Sequence, residues 1–302
     1  MKLYTPNYYK NFKCIAEKCK HNCCIGWEID IDEDTYEYYQ TIKGKFSKRF
    51  KNDIVLNDGC AGFRLDGKGR CAFLNKNNLC DIILNLGEDA LCQICSDHPR
   101  FRNFYDEATE IGLGLCCEEA GRIILGQKEK FELTISNEDS TDIFDDDFLK
   151  QKECILIELQ NEKYTLEEKT TALLKNNNVE IKNKNFYEWV DFYLSLERLD
   201  DSWTNLLCDL KEIDFENTTL SIDYDVIFEK LLLYFIYRHL DEMDEGKIKF
   251  SVFSTFFISQ ICKYHIAKYG NIQFEDIIEY TRMYSSEIEY SDENIEKIIE
   301  EL

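Results

Sequence analysis

Four cysteines lie within eleven consecutive positions near the start of this sequence, in the segment FKCIAEKCKHNCCIGWEIDID at residues 12–32. Further cysteines recur along the chain, so that eleven of the 14 fall in the first 117 residues. Thiolate sulfur is a soft ligand that suits zinc and iron–sulfur clusters, and closely spaced cysteines let one loop supply several ligands. The pattern therefore predicts a thiolate-ligated metal site in an irregular region that the metal helps to organise.

Disulfide bonds are one alternative explanation, and the expected compartment argues against them. The opening segment MKLYTPNYYKNFKC lacks the apolar stretch of a signal peptide, which predicts a cytoplasmic protein. Cytosolic reductants keep ordinary thiols reduced. A second alternative, small buried hydrophobes, is preferred only for Cys154, Cys208 and Cys262, each of which stands alone in an apolar helical segment. A nucleophilic cysteine stays open, although no Cys/His/Asn arrangement can be identified.

The sequence indicates a metal site more strongly than it indicates which metal is bound. The cysteine spacings match neither a zinc ribbon nor a ferredoxin, and only His21 and His98 lie near the cysteines. There are more cysteines than one tetrahedral zinc requires, and histidines are few, which favours an iron–sulfur cluster. We expect a cluster of the [4Fe–4S] type, with zinc as the alternative.

The charge of the chain bears on its partners. A formal net charge of −23 disfavours nucleic acid, because affinity for phosphates comes mostly from Lys and Arg. It favours cationic partners such as lysine-bearing protein surfaces, although charge that only keeps the protein soluble is the preferred explanation. The most apolar run, residues 226–240, is too short and too charged to span a bilayer, so we expect a core helix there and no membrane partner.

The periodicity of apolar residues predicts a mainly α protein with two regions. An irregular, cysteine-rich region covers residues 1–135, and an all-helical region covers residues 148–302. The boundary is expected in the acidic segment SNEDSTDIFDDD at residues 136–147. Thr165 and Glu168 have the spacing of a capping box, and Gly270 is expected to end a long helix.

Three segments of the cysteine-rich region resemble successive motifs of the flagellin lysine-N-methylase (FliB-type) family, which belongs to a wider group named for zinc- or iron-chelating cysteine clusters. The segments are FKCIAEKCKHNCCIGWEIDIDEDTYEYY, CAFLNKNNLCDIILNLGEDALCQICSDHPRF and LGLCCEEAGRIIL, and the resemblance covers residues 7–125. The helical remainder is similar only in length and character. The cysteines that match the family pattern are Cys14, Cys19, Cys23, Cys24, Cys71, Cys80, Cys95 and Cys117. Cys60, Cys92 and Cys116 do not match it, and Glu118 replaces a typical proline.

The resemblance implies methyl transfer from S-adenosylmethionine to the ε-amino groups of lysines on flagellin. Trp27, Asp30, Arg100 and Glu119 lie inside the family-like motifs and are candidate ligands of that cofactor, although a structural role is the simpler reading of each. No catalytic residue is assigned. Among possible proton acceptors, Asp30, Asp32 and His98 are more simply structural. The only glycine pattern, GLGL at residues 112–115, is too weak to indicate a nucleotide-binding loop. A non-enzymatic iron–sulfur or zinc protein, acting in electron transfer or as an adaptor, is the rival hypothesis.

Overall fold

A computed structural model of the protein describes residues 2–57, 59–135, 146–182 and 184–302. Two compact units make up the chain. The cysteine unit is Lys13–Phe101, and the helical unit combines Met1–Phe12 with Arg102–Leu302. The predicted domains, 1–135 and 148–302, stay a prediction, because all but the last two residues of their expected boundary lie outside the described residues.

The mainly α class is confirmed, since the described residues contain 13 α-helices together with short strands. The strands are β1 (Lys2–Pro6), β2 (Asp30–Ile31), β3 (Ile54–Asn57), β4 (Cys60–Phe63), β5 (Arg100–Phe104), β6 (Ala108–Leu113) and β7 (Leu133–Ile135). The helices are α1 (Glu33–Thr41), α2 (Lys45–Asp53), α3 (Asp81–Leu86), α4 (Gln93–Asp97), α5 (Glu118–Gly126), α6 (Asp147–Glu158), α7 (Leu166–Asn176), α8 (Phe186–Ser195), α9 (Asp201–Glu212), α10 (Asp225–His239), α11 (Glu245–Tyr269), α12 (Phe274–Ile288) and α13 (Asp292–Glu301).

The cysteine unit is built on a small antiparallel sheet, in the order β2-β4-β3, and an aromatic core. Tyr39 of α1 stacks on Phe50 of α2 with ring centroids 4.1 Å apart, and Phe73 lies 5.1 Å from Phe50. The sequence predicts one helix over residues 32–50, but the structure has two. The chain is redirected before α2 at Gly44, whose φ of +87° is readily adopted by glycine alone.

The strands of the helical unit were not predicted. In the sheet order β5-β6-β1-β7, β1 runs parallel to β6 and antiparallel to β7. Tyr4 of β1, for example, pairs with both Glu110 and Ile135. These pairings join segments more than 100 residues apart, and the alternation within one short strand carries no signal of such a distant partner.

The helices form the core of this unit around α10 and α11. The predicted core helix is confirmed in α10, where Leu231 to Tyr237 are all buried. The capping box of Thr165 and Glu168 opens α7, and Gly270 ends α11 in the left-handed conformation, both as predicted. Within the described residues, no helix combines the length and apolarity needed to cross a bilayer.

A buried ion pair lies beneath the four-stranded sheet. Lys152 Nζ of α6 is 2.6 Å from Glu110 Oε2 of β6, and each side chain is 1% exposed. The ammonium also donates to the Tyr237 carbonyl at 2.9 Å, and Tyr105 Oη donates to the same carboxylate oxygen at 2.8 Å. Burial lowers the pKa of Lys152, although the charge of Glu110 opposes that shift. A charged lysine is tolerated here because it is paired.

Candidate functional site

The fold of the cysteine unit brings together cysteines that are far apart in the sequence. The backbone N–H of Cys71 donates to the Cys24 carbonyl at 2.9 Å, and Leu74 bridges to Cys80 as an isolated β-pair. Five thiols pack in one core: Cys71 and Cys92 are part of it, and the partly buried Cys24, Cys80 and Cys95 lie against it. Together with Cys23 we call these six residues the thiol cluster.

The thiols interact in two hydrogen-bonded pairs. The Cys24 thiol donates to Cys23, and this bond lowers the pKa of Cys23 while raising that of Cys24. In the second pair the Cys95 thiol donates to Cys92, and this bond lowers the pKa of Cys92 while raising that of Cys95. One member of each pair is thereby prepared to be a thiolate, the form that ligates metals.

The remaining members of the thiol cluster are held neutral by burial. Burial raises the pKa of Cys71 to about 11 and also raises that of Cys80. Negative charge on Cys71 would in turn raise the pKa of both Cys24 and Cys95, so the thiols lie within electrostatic reach of each other. Several thiolates in such a place repel each other unless a cation offsets their charge.

Soft donors in this number suit a zinc ion or an iron–sulfur cluster by their chemistry. As the side chains stand in the described part of the chain, no three Cys, His, Asp or Glu groups are arranged to hold a metal ion. Metal ligation by these residues therefore stays a prediction.

The eight cysteines predicted as ligands do not all belong to the thiol cluster. Cys14 is exposed and its sulfur accepts the Ala16 N–H at 3.4 Å, and Cys19 is partly buried; neither is part of the core that holds the cluster. Cys117 precedes α5 in the helical unit. Conversely, Cys92 belongs to the cluster although it does not match the family pattern. The C-x-x-C spacing of Cys92 and Cys95 was the sequence signal for it.

The solitary cysteines are only partly as expected. Cys262 is buried, but Cys154 and Cys208 are exposed, so the prediction that they fill apolar space is wrong. Each lies on the outward face of an amphipathic helix whose buried face is provided by other residues, such as Ile155 in α6 and Leu207 in α9.

Three of the predicted cofactor ligands lie in the cysteine unit and contact the fold itself. The Trp27 indole N–H donates to the Cys23 carbonyl at 2.6 Å, and its ring packs on the aromatic core. Asp30 is exposed and pairs with Gly62 in the sheet. The Arg100 guanidinium donates to the Ser96 carbonyl at 3.1 Å.

Glu119, the fourth predicted cofactor ligand, lies in the helical unit. Its carboxylate is 3.2 Å from Arg122, which also contacts Glu275 of α12 at 2.9 Å. The pair of Glu119 and Arg122 lies within α5 and is a structural contact that a ligand-binding carboxylate would have to give up.

The residues considered as proton acceptors are also engaged. Burial opposes ionisation of Asp32, but backbone N–H groups of Gln93 and Thr35 donate to its carboxylate and lower its pKa. Asp32 thereby ties the turn that carries Cys92 to the start of α1. Burial, with the charge of Arg100, lowers the pKa of His98 to about 4, so its imidazole is neutral at physiological pH.

Sequence reasoning missed a cavity of about 500 Å³ in the helical unit. It lies between α7 and α10, closed on one side by Tyr8 and by the segment that follows α5, and we call it the α7–α10 cavity. Its lining combines aromatic and aliphatic side chains with charged groups of both signs, which a binding site for a polar cofactor requires. None of the four predicted cofactor ligands lines it.

The structure thus defines a mainly helical protein that pairs a cysteine-rich unit, with clustered and electrostatically coupled thiols, with a helical unit that holds a cofactor-sized cavity. The sequence matches the family described as the FliB lysine N-methylase C-terminal domain over residues 100–302, more than half of the chain, and the protein belongs to that family. The expected family is confirmed, and the match extends through the helices that resembled it only in length and character.

Individual relatives are more distant. The lysine-N-methylases of Salmonella choleraesuis (strain SC-B67) and Salmonella typhimurium (strain LT2) are each 27% identical over 135 residues, which cover 43% of this chain and 34% of theirs. The flagellar biosynthetic protein FliU of Salmonella muenchen is 28% identical over 134 residues, which cover 42% of this chain and 79% of that protein. The chain therefore matches about a third of the length of the two lysine-N-methylases. No solved structure matches it.

Proposed function

We propose that this chain is a cytoplasmic protein-lysine N-methyltransferase that transfers a methyl group from S-adenosylmethionine to lysine ε-amino groups of flagellin or of another lysine-bearing protein. The observation that carries the proposal is family membership over residues 100–302, supported by relatives named lysine-N-methylase. The net charge of −23 favours a cationic protein substrate over nucleic acid.

The reaction sets clear demands on the site. The lone pair of a neutral amine attacks the methyl carbon as the carbon–sulfur bond breaks; the bonding electrons stay on sulfur, and S-adenosylhomocysteine leaves. The methylated ammonium then releases a proton. Because a free lysine has a pKa of about 10.4, the substrate amine must be desolvated to become a nucleophile at neutral pH. It must also lie in line with the methyl group.

We further propose that the thiol cluster holds an iron–sulfur cluster, with zinc as the alternative. Cys23 and Cys92 are the members whose hydrogen bonds favour the thiolate form, and Cys14 and Cys19 of the same unit are additional candidates from the family pattern. Cys117, which lies in the helical unit, stays a candidate ligand from the family pattern alone. Methylation of a nucleophilic nitrogen needs no redox step, so the bound metal would supply folding energy to the cysteine unit.

The test of the methyltransferase activity uses full-length, anaerobically purified protein with S-adenosylmethionine and flagellin. We expect mass spectrometry of the digested flagellin to detect methyl-lysine, with none formed when the donor is omitted. If flagellin and a panel of lysine-rich proteins all remain unmodified while the donor binds, the substrate assignment fails. If the donor does not bind, the activity itself is wrong.

The metal proposal is tested by quantifying iron, sulfide and zinc per chain in the same preparation. We expect Cys71→Ser to lose metal, because Cys71 lies buried among the other thiols. Cys154→Ser is the matched control, since it removes an exposed thiol outside the cluster. Equal metal content in the two variants would refute the assignment, and zinc without iron or sulfide would replace the iron–sulfur cluster by a zinc site.

The thiol cluster also supports a second candidate function, a non-enzymatic metal protein that acts in electron transfer or as an adaptor. The same preparation distinguishes the two. Bound metal together with tight binding of S-adenosylmethionine supports the enzyme, whereas bound metal without donor binding supports the second candidate.

A further inference from the structure

One part of the wall of the α7–α10 cavity is apolar. Ile124 of α5 and Leu233 of α10 are buried, and Tyr8 packs edge-on against Phe131 with ring centroids 6.1 Å apart. Gln160 holds the Phe131 backbone on both sides, since its oxygen accepts the Phe131 N–H at 2.6 Å and its nitrogen donates to the Phe131 carbonyl at 3.1 Å. These contacts hold the Phe131 backbone in place beside the apolar part of the cavity wall.

One side of the cavity leaves apolar surface uncovered. Ile222 is 72% exposed, and Val226 and Tyr164 are each 55% exposed, yet all three line the cavity. Val226 lies in the first turn of α10, and Ile222 lies in the short 3-10 turn directly before that helix. Exposed apolar side chains that converge on a cavity are a site for a flat, weakly polar group such as a purine ring.

Charged side chains line the cavity together with these apolar ones. Lys169 of α7 is 5% exposed and forms an ion pair with Glu229 of α10, while Asp225 lies one turn before Glu229. The neighbouring Lys230 donates to the Leu125 carbonyl at 3.0 Å, and its burial lowers its pKa. An ammonium and a carboxylate side by side can each take one half of a zwitterionic amino acid, because the ligand's own charges replace those of the pair.

We propose that the α7–α10 cavity is the binding site for S-adenosylmethionine, a nucleoside that carries a zwitterionic amino acid. The adenine ring lies on Ile222, Val226 and Tyr164, and the amino-acid end lies at Lys169 and Glu229. The volume of about 500 Å³ is within the range of roughly 300–1,000 Å³ found for small-molecule sites.

This inference rests on the proposed methyltransferase function and replaces Trp27, Asp30, Arg100 and Glu119 as the cofactor site. Those four residues pack, pair or bind within the fold, and none of them lines the α7–α10 cavity. The two assignments differ in which variants weaken donor binding, so one titration series separates them.

Calorimetric titration of the full chain with S-adenosylmethionine and with S-adenosylhomocysteine tests the proposal. Val226→Trp fills the cavity from an exposed position that the core does not need, and Glu229→Gln removes one charge of the zwitterion site. We expect each to raise Kd for both ligands at least tenfold. Glu293→Gln is the matched control, because it removes a carboxylate from an exposed Lys–Glu pair of α13 far along the chain, and we expect it to bind like the wild type.

The outcomes separate the cavity from the function. If the wild type binds the donor and both cavity variants bind equally well, the cavity assignment is wrong while the methyltransferase proposal stands; loss of binding in Asp30→Asn instead would return the site to the cysteine unit. If the wild type binds no donor, both proposals fail. Should Glu229→Gln fail to fold, as judged by circular dichroism, Val226→Trp decides the question alone.

Discussion

Replacing Lys152 with methionine removes one half of the buried ion pair of the helical unit and leaves its shape nearly unchanged. Glu110 would keep hydrogen bonds from Tyr105 at 2.8 Å and, more weakly, from Asn103 at 3.4 Å. Its other oxygen, Oε1, is buried and has no hydrogen-bond partner among the described residues, so nothing there compensates for the lost ammonium. Removing one partner of a buried pair costs about 3–5 kcal/mol.

The cost is measured by urea unfolding followed by far-ultraviolet circular dichroism. With a urea slope of about 3 kcal/mol per molar for a protein of this size, the midpoint of Lys152→Met should fall by about 1–1.7 M. Adding Glu110→Gln removes the uncompensated charge, so the double variant should be more stable than Lys152→Met alone. This recovery is the signature of an unpaired buried carboxylate rather than of lost packing.

Lys297→Met is the matched control. Lys297 and Glu293 are also 2.6 Å apart, but both side chains are exposed on α13, where solvent screens the pair. We expect no measurable change in its midpoint. If Lys152→Met behaves like this control, or if the double variant is no more stable than the single one, the reasoning from burial is refuted.

Three further predictions concern single sites and use the same unfolding assay. Asn185→Ala should cost about 1 kcal/mol, because Asn185 and Glu188 form a capping box at the start of α8; no loss would mean that the box does not stabilise the helix. Gly246→Ala should cost about 1–3 kcal/mol, because a Cβ there would overlap Cγ2 of Ile299 in α13. Ile299→Ala removes that atom, so the double variant should lose less stability than the sum of the two single losses. His98 has a folded pKa of about 4, below its unfolded value of 6.5, so the free energy of unfolding should fall by up to about 3 kcal/mol as the pH drops through that interval. His98→Gln should lose less stability over the same pH range. If the variant and the wild type lose stability in parallel as the pH falls, this prediction is wrong.

Helices with local signals could be predicted from sequence. The capping box of Thr165 and Glu168 and the terminator Gly270 act within one turn, so their spacing alone predicts where α7 begins and α11 ends. Where the signal was not local, prediction failed. The break before α2 depends on the positive φ angle of Gly44. A glycine within a helical pattern does not by itself indicate that its φ angle is positive.

The exposure of Cys154 shows a related limit. Apolar spacing predicted the helix that carries it, but which face of that helix meets the core depends on neighbours that are distant in sequence. Strand β1 likewise gained its two partners from segments more than 100 residues away. A short apolar pattern indicates that a helix or strand buries one face, but it does not indicate which other element that face packs against.

The sequence by itself determined the mainly α class, the concentration of soft ligands in the first 117 residues and the likeness to a methylase family, because composition, helical period and motif spacing are properties of the linear chain. Only the tertiary structure decided that Cys92 packs in one core with Cys24 and Cys71, and that residues of α5, α7 and α10 line a common cavity with an ion pair in its wall. These features depend on contacts between residues that are tens of positions apart in the sequence. The contacts depend on which faces of the helices and strands pack together, and the packing of the whole core determines this, not any one segment.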